Sequence, residues 1–194
     1  MNNLNLKRIV MEVFGGCNYT CQMCPQTNPG RGKSWTRKMP LEQFEKILDQ
    51  IIPKYGTPQI NLEGSGEPTM AKDLPIYINA VKKRGLKCFM YCNGARLNGD
   101  FMNKVIDAGI DFIRFSVIGY NREKYLKWMN VDNFELILNN IKEINEYIKK
   151  TNSKCEISTY HLITDNNNIE NEIQLYKENV INKVNVTSYI WKMH

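Results

Sequence analysis

The sequence predicts an α/β fold, a partial (β/α)6 barrel of parallel strands with outer helices. Apolar runs alternate with amphipathic segments from one end of the chain to the other, and this alternation is typical of right-handed βαβ units. The 194 residues suit six such units, because a closed eight-fold barrel usually needs about 250 residues. No linker, repeat or low-complexity block interrupts the alternation, so we expect a single domain over residues 1–194.

Each expected strand is a short apolar run that stops at turn-forming residues. The first run ends at Gly15 and the second at Gly64, whereas the third run is followed by Asn93 and Gly94. The three later runs alternate with helical segments in the same way. The expected strands are residues 9–14, 59–63, 86–91, 112–118, 155–163 and 184–191.

Apolar residues at intervals of three and four mark the expected helices. The first helix begins at Leu41 and is expected to end before Pro53, because proline removes a helical N–H. Gly85 and Gly109 follow two shorter helices and suit the left-handed position that closes a helix. The strongest stripe is Phe134, Ile137, Ile141, Ile144 and Ile148. The other expected helices are residues 74–84, 100–108 and 169–179.

The charge balance is mildly basic, with 26 Lys and Arg against 20 Asp and Glu and a net charge of +6. These charges occur singly or in pairs, which favours solvated helix faces over a nucleic-acid interface. The basic residues Arg31, Lys33, Arg37 and Lys38 are either solvated or in contact with a substrate or partner. No run reaches the ~18 apolar residues that span a bilayer, and the first residues lack a secretory signal. We therefore expect a cytoplasmic protein without a membrane partner.

Half of the six cysteines lie in one short loop after the first expected strand, at Cys17, Cys21 and Cys24. Thiolate is the preferred ligand of iron–sulfur clusters, and three thiolates can bind three irons of a cubane while the fourth stays open. A structural zinc site would need a fourth Cys or His, whereas the two histidines, His161 and His194, lie far along the chain. The pattern therefore predicts an iron–sulfur cluster, with zinc as the competing interpretation.

The remaining cysteines and His161 have weaker signals. Cys88, Cys92 and Cys155 lie on expected strands, where buried packing is a simpler interpretation than a second cluster or a redox pair. His161 ends the fifth expected strand, and this position suits either a cavity-lining or a structural role.

The cysteine spacing, Cys-x3-Cys-x2-Cys, resembles the signature of radical S-adenosylmethionine (SAM) enzymes. Residues 64–68, Gly-Ser-Gly-Glu-Pro, are similar to the Gly-Gly-Glu-Pro motif of that family, with Ser65 in place of the first Gly of the pair. Cys92-Asn93-Gly94 resembles its Thr-Asn-Gly segment, and residues 115–119 resemble the strand-four segment that carries a serine, here Ser116. These four motifs follow four successive expected strands, so the resemblance covers essentially the whole chain.

The resemblance implies a 4Fe–4S cluster on Cys17, Cys21 and Cys24, with SAM bound at the open iron. It also implies that Met23 lies near the adenine of SAM. The other implied SAM contacts are Ser65, Gly66, Glu67, Asn93 and Ser116. Enzymes of this family cleave SAM reductively to a 5′-deoxyadenosyl radical, which removes hydrogen from the substrate. The implied partner is a reductant protein such as flavodoxin or ferredoxin.

Within that family, the sequence most resembles the SPASM/Twitch group, whose members modify peptides, sugars or small metabolites. The run Cys24-Pro25 and the helix start at Met39-Pro40 carry this resemblance. Enzymes of that group usually carry a C-terminal extension with further cluster cysteines, which residues 1–194 do not contain. We therefore expect either a truncated or split enzyme whose barrel a partner subunit closes, or a minimal core with a large, open substrate side. One alternative is a glycyl-radical enzyme activase. An alternative of another class is a non-catalytic iron–sulfur or zinc binding module.

Overall fold

A computed structural model describes residues 6–25 and 37–192, and its strands form one parallel sheet. The strands follow the order β1-β2-β3-β4-β5-β6, so each one pairs with its neighbours in the sequence. Within the described residues, β1 and β6 each pair on one side only, and the sheet is therefore open. The strands are β1 (Arg8–Val10), β2 (Gln59–Leu62), β3 (Cys88–Cys92), β4 (Phe112–Ser116), β5 (Glu156–Leu162) and β6 (Thr187–Trp191). The predicted α/β partial barrel of parallel strands is confirmed.

Helices connect the strands and lie outside the sheet. In order they are α1 (Leu41–Tyr55), α2 (Leu74–Lys82), α3 (Gly99–Asp107), α4 (Arg122–Met129), α5 (Phe134–Thr151), α6 (Ile169–Tyr176) and α7 (Asn182–Val184). The apolar stripe of α5 is buried at Ile137, Ile141 and Ile144, as its spacing predicts. The core lies between this helical layer and the sheet, where β3 buries Cys88 and Met90 and leaves the alternate residues partly exposed.

Several of the expected boundaries are wrong. Strand β6 begins at Thr187 and not at residue 184, because Asn182–Val184 is helical. Helix α1 continues through Pro53 to Tyr55, because a proline in the last turn costs only one N–H bond and the helix closes instead at Gly56, whose φ is +74°. Strand β1 is shorter than expected. After Met11 donates to Asn61 O, the chain leaves β2 and forms an isolated antiparallel bridge between Phe14 and Lys38.

Two helical features were not expected from the sequence. Helix α4 buries only Tyr125 and Met129 and has no apolar stripe, so its periodicity is too weak to detect. Asn121 caps its N-terminus by accepting a hydrogen bond from Lys124 N at 2.9 Å. Helix α6 is continued by a π-helical segment, Lys177–Ile181, before α7, so the helical region extends past the expected end at residue 179.

Some sequence expectations concern residues 1–5, 26–36 and 193–194, which lie outside the described residues. Arg31, Lys33 and His194 are among them. No helix in the described part of the chain is both long and apolar enough to cross a membrane.

Candidate active site

A cavity of about 420 Å³ lies where the loops leave the carboxyl ends of the strands, which is the usual ligand site of such sheets. We call it the cysteine cavity. Its lining includes eight of the nine site residues predicted from the sequence: Cys17, Cys21, Cys24, Ser65, Gly66, Glu67, Asn93 and Ser116. Met23 is half-buried against the core and is not among the lining residues of this cavity.

Residues 17–24, here named the cysteine loop, are attached to the C-terminal end of α4. Gln22 N donates to Trp128 O at 2.9 Å, and Asn130 Nδ2 donates to Thr20 Oγ1 at 2.8 Å. Asn130 adopts the left-handed conformation that ends the helix, with φ +56°. Helix α4, which the sequence periodicity did not predict, therefore supports the cysteine loop.

Tyr19 and Cys21 extend this attachment into the core. The Tyr19 hydroxyl accepts from Asn133 Nδ2 at 2.9 Å and from the Tyr125 hydroxyl at 3.4 Å. The Cys21 thiol lies 3.8 Å from Met129 Sδ. These contacts join the cysteine loop to α4 and to the residue that precedes α5.

A hydrogen bond, burial and neighbouring charges affect the thiols of the cysteine loop. Tyr19 N donates to Cys17 Sγ at 3.4 Å, and hydrogen bonds to sulfur help to set the potentials of iron–sulfur clusters. Desolvation raises the pKa of Cys17 and raises that of Cys21 to about 12, and the charges of neighbouring cysteines add to both effects. A bound metal ion would favour the thiolate forms of Cys17 and Cys21, because metal binding displaces the thiol protons.

Residues 6–25 and 37–192 contain no group of three His, Cys, Asp or Glu side chains placed to hold a metal ion. A cubane takes one thiolate on each of three irons, so its ligands line a cavity and do not surround one ion. Three thiols that share a cavity are the donor set that such a cluster needs, and the residues present therefore fit the group.

The loop of residues 64–68 approaches the segment after β1 very closely. The Glu12 carboxylate accepts from Ser65 N and, at 3.0 Å, from Gly66 N, so two successive backbone N–H groups share one oxygen. A Cβ atom on residue 66 would lie 1.8 Å from Phe14 O. Only glycine fits at this position unless the backbone moves.

Glu67 joins this loop to the end of β3. Its buried carboxylate accepts from Thr69 N at 3.1 Å, from Thr69 Oγ1 at 2.6 Å and from Asn93 N at 2.7 Å. Burial raises the pKa of Glu67, although these hydrogen bonds oppose the shift. Asn93 Nδ2 in turn donates to Asn18 Oδ1 at 2.9 Å and lies 3.9 Å from Cys17 Sγ. Glu67 and Asn93 therefore connect three of the predicted motifs.

The three cysteines outside the cysteine loop and His161 occupy different parts of the fold. Cys92 lines the cysteine cavity, whereas Cys88 and Cys155 are buried elsewhere, and none of the six cysteines forms a disulfide. His161 is fully buried and lines neither of the two cavities described here. Its Nδ1 accepts from Gly119 N at 3.2 Å, so Nε2 carries the proton and donates to Glu172 Oε1 at 3.0 Å. Of the two roles left open for His161, the structure supports the structural one.

A second cavity of about 320 Å³ adjoins the first. We call it the arginine cavity because Arg8 and Arg114 line it. The two cavities share three lining residues, Glu63, Tyr91 and Ser116. No sequence motif indicates this cavity, because most of its lining side chains come singly from separate strands.

The fold and the cysteine cavity together define a class of protein. An open parallel βα sheet that carries three clustered thiols in the loop after its first strand is the framework of an iron–sulfur enzyme of the SAM-cleaving type. A sequence model of the Radical SAM superfamily matches residues 11–187. The chain therefore belongs to the radical SAM superfamily. Members of this superfamily are enzymes, and its cofactors, a 4Fe–4S cluster and SAM, are those of this chain.

The chain is similar to several known proteins. An uncharacterized protein of Methanocaldococcus jannaschii is 29% identical over 182 residues, which cover 87% of this chain and 58% of that protein. A probable GTP 3′,8-cyclase of Metallosphaera sedula is 26% identical over 128 residues, which cover 66% of this chain and 39% of that protein. The chain thus spans between 39% and 58% of the length of these two relatives.

A solved structure shows the same fold. The crystal structure of Streptococcus suis SuiB bound to its precursor peptide SuiA has a TM-score of 0.72 and 17% identity, over 100% of this chain and 41% of that one. At this identity the likeness concerns the fold alone.

Proposed function

We propose that residues 1–194 are the core domain of a radical SAM enzyme, in which Cys17, Cys21 and Cys24 bind the 4Fe–4S cluster and the cysteine cavity holds SAM. The observation that carries the proposal is that all three thiols line one cavity with Ser65 and Ser116, although these residues are far apart in the sequence. Four separate segments of the chain are therefore directed at one ligand-sized space.

For the cluster, this chain supplies three thiols on a loop that hydrogen bonds attach to the helical layer. These bonds run from Asn133, at the start of α5, to Tyr19 and from Gln22 to Trp128 in α4. The Tyr19 N–H and the Asn93 amide would stabilise the charge on the Cys17 sulfur.

For SAM, the loop of residues 64–68 supplies polar groups at the cavity wall. We propose that Ser65 and Gly66 contact the amino-acid portion of SAM, and that Ser116 contacts its ribose or carboxylate. Glu67 and Asn93 complete the contact set, and their mutual hydrogen bond holds the loop against β3. The proposal also keeps Met23, from the turn before Cys24, near the adenine.

The chemical step depends on the bound groups, whereas this chain binds and orients them. When bound, the cluster and SAM supply a 5′-deoxyadenosyl radical that removes a hydrogen atom from the substrate. The buried residues around the cavity, among them Cys92 and Met129, exclude water from its inner wall. The geometry of the cavity limits which C–H bond of the substrate can approach.

The proposed substrate is a peptide, a sugar or a small metabolite. A precursor peptide bound to SuiB and the name of the GTP cyclases support this range for proteins of similar fold and sequence. We also propose a flavodoxin or ferredoxin as reductant and a cytoplasmic location, where thiols stay reduced. Tyr189 and Trp191 on the open β6 edge are more than half exposed, which supports a partner subunit that covers this side.

Anaerobic reconstitution tests the function. The protein, loaded with iron and sulfide, is incubated with SAM with and without dithionite, and 5′-deoxyadenosine is measured by mass spectrometry. We expect 5′-deoxyadenosine and methionine only with the reductant. A stable cluster that yields no 5′-deoxyadenosine would indicate the non-catalytic iron–sulfur module, and a colourless protein that takes up zinc alone would indicate the zinc module.

A further inference from the structure

The arginine cavity is lined by two arginines that have no role in the proposed binding of the cluster or SAM. Arg114 lies in the middle of β4 and extends between aromatic rings, with its guanidinium carbon 3.9 Å from the ring centroid of Tyr189 and 5.0 Å from that of Tyr91. Its Nη1 donates to the Tyr91 hydroxyl and its Nε donates to Ser158 Oγ, both at 3.2 Å. The guanidinium is therefore held in one orientation by stacking and by two hydrogen bonds.

No carboxylate of the described residues forms an ion pair with Arg114. Other arginines do form ion pairs, for example Arg84 with Asp49 and Arg122 with Asp132. A guanidinium has five N–H donors, and only two of those of Arg114 have acceptors among residues 6–25 and 37–192. An ordered arginine with unused donors beside a cavity is suited to a bidentate bond with an oxyanion.

The other charges of the cavity support the same ligand. Arg8, from β1, also lines it and forms no ion pair with the described residues. Glu63 is the single carboxylate in the lining, and its Oε1 accepts from Asn61 Nδ2 at 3.0 Å. The described lining thus carries two guanidinium groups against one carboxylate, and the excess is positive.

We propose that the arginine cavity is the substrate site and that it binds an oxyanion of the substrate, a carboxylate or a phosphate, on Arg114 and Arg8. The proposal rests on the proposed function, because it places the reacting part of the substrate toward the cysteine cavity. Tyr91 and Ser116 line both cavities, so a molecule anchored on Arg114 extends past them to the SAM site. Tyr160 and Trp191 provide apolar ring faces beside the anchored group.

The test measures oxyanion binding to the cluster-loaded chain of residues 1–194 without substrate turnover. Inorganic pyrophosphate and succinate are titrated separately by isothermal titration calorimetry at constant ionic strength, with potassium chloride as the reference salt. We expect saturable binding of at least one probe to the unaltered protein. Arg114→Gln should weaken that binding at least about tenfold, which is the effect of losing a charge-assisted hydrogen bond.

Two further variants keep the result interpretable. Arg114→Lys retains the charge but not the planar fork, so its loss of affinity should be smaller than that of Arg114→Gln and still measurable. Arg8→Gln tests the second guanidinium if Arg114→Gln does not fold. Arg122→Gln is the matched control, because it removes a surface guanidinium paired with Asp132, and we expect unchanged binding.

The outcomes separate this proposal from the proposed function. Tighter binding of pyrophosphate assigns a phosphate-bearing substrate, and tighter binding of succinate assigns a carboxylate-bearing one. Absence of saturable binding, or equal binding by Arg114→Gln and Arg122→Gln, overturns the oxyanion site while SAM cleavage by the unaltered protein still supports the enzyme. If the probes bind at Arg114 but no 5′-deoxyadenosine forms with reductant, the proposed function fails and the oxyanion site remains.

Discussion

The cysteine cavity and the arginine cavity adjoin each other, but the chain builds them in different ways. The cysteine cavity consists of contiguous segments, residues 17–24 and 64–68, whose backbone groups are fixed by hydrogen bonds to Trp128, Glu12 and Gly16. The arginine cavity consists of single side chains from different strands. The first is therefore sensitive to backbone changes, whereas the second depends on individual side chains.

The difference has a physical origin. A cluster and a cofactor with fixed polar groups need several donors and acceptors at set positions, and a short loop supplies these most economically through its backbone. A substrate that varies among related enzymes is bound by side chains, which can change without disturbing the sheet. The predictions below test whether the two cavities respond separately.

The largest effect is expected for Gly66→Ala. The added Cβ would lie 1.8 Å from Phe14 O, so the backbone must move, and we expect a loss of about 2–3 kcal/mol in the free energy of unfolding. SAM affinity should fall at least about tenfold, because the loop of residues 64–68 shifts, whereas oxyanion binding at Arg114 should not change. Urea unfolding and calorimetric titration of SAM provide the measurements.

Gly85→Ala is the control for this change. Gly85 has a positive φ, +69°, and no atom lies within 4 Å of the added Cβ. We expect a loss of about 1 kcal/mol in the free energy of unfolding from backbone strain and unchanged SAM binding. Equal effects of the two substitutions on SAM affinity would contradict the close approach as the reason for glycine at residue 66.

A smaller effect is expected from the buried pair of His161 in β5 and Glu172 in α6. Desolvation lowers the pKa of His161 below its ordinary value of 6.5, so the unfolded chain takes up a proton at a pH where the folded chain does not. The free energy of unfolding should therefore fall as the pH drops below about 6.5. Urea unfolding between about pH 7 and pH 5 measures this slope.

The histidine responsible can be identified by substitution. His161→Gln should flatten the pH dependence. A slope that survives in His161→Gln would show that another group titrates.

The smallest effect is expected for Tyr19→Phe. It removes the hydroxyl that accepts from Asn133 at 2.9 Å, and we expect a loss of about 1 kcal/mol in the free energy of unfolding. The cysteine loop should loosen, so the cluster should lose iron faster to a chelator, while the arginine cavity stays intact. Tyr147→Phe is the control because its hydroxyl contacts Asp107 on the surface, and an equal rate of iron loss in both variants would disprove the anchoring role.

The fold could be predicted from the sequence because local periodicity and burial agree along most of the chain. The stripe of α5, with Ile137 and Ile141 buried, is strong enough to define its helix alone. Helix α4 could not be predicted, because its role is to hold the cysteine loop through Trp128 O and Asn130, and such polar contacts leave no apolar pattern.

The two cavities also differ in how far the sequence predicts them. The residues that line the cysteine cavity follow successive strands, so the carboxyl edge of the sheet collects them, and motifs could indicate them in advance. Arg114 and Arg8 are ordinary strand residues in the sequence. Only the register of β1 to β6 brings them to one cavity, and the missing carboxylate partner of Arg114 among the described residues becomes visible only with that register.

The most direct test of the central claim is the iron content of single cysteine variants after anaerobic reconstitution. Cys17→Ala, Cys21→Ala and Cys24→Ala should each lose the cluster and the reductive cleavage of SAM, whereas Cys88→Ala and Cys155→Ala, buried away from the cavity, should keep about four irons per chain. A loop variant that retains a full cluster and forms 5′-deoxyadenosine would contradict the account.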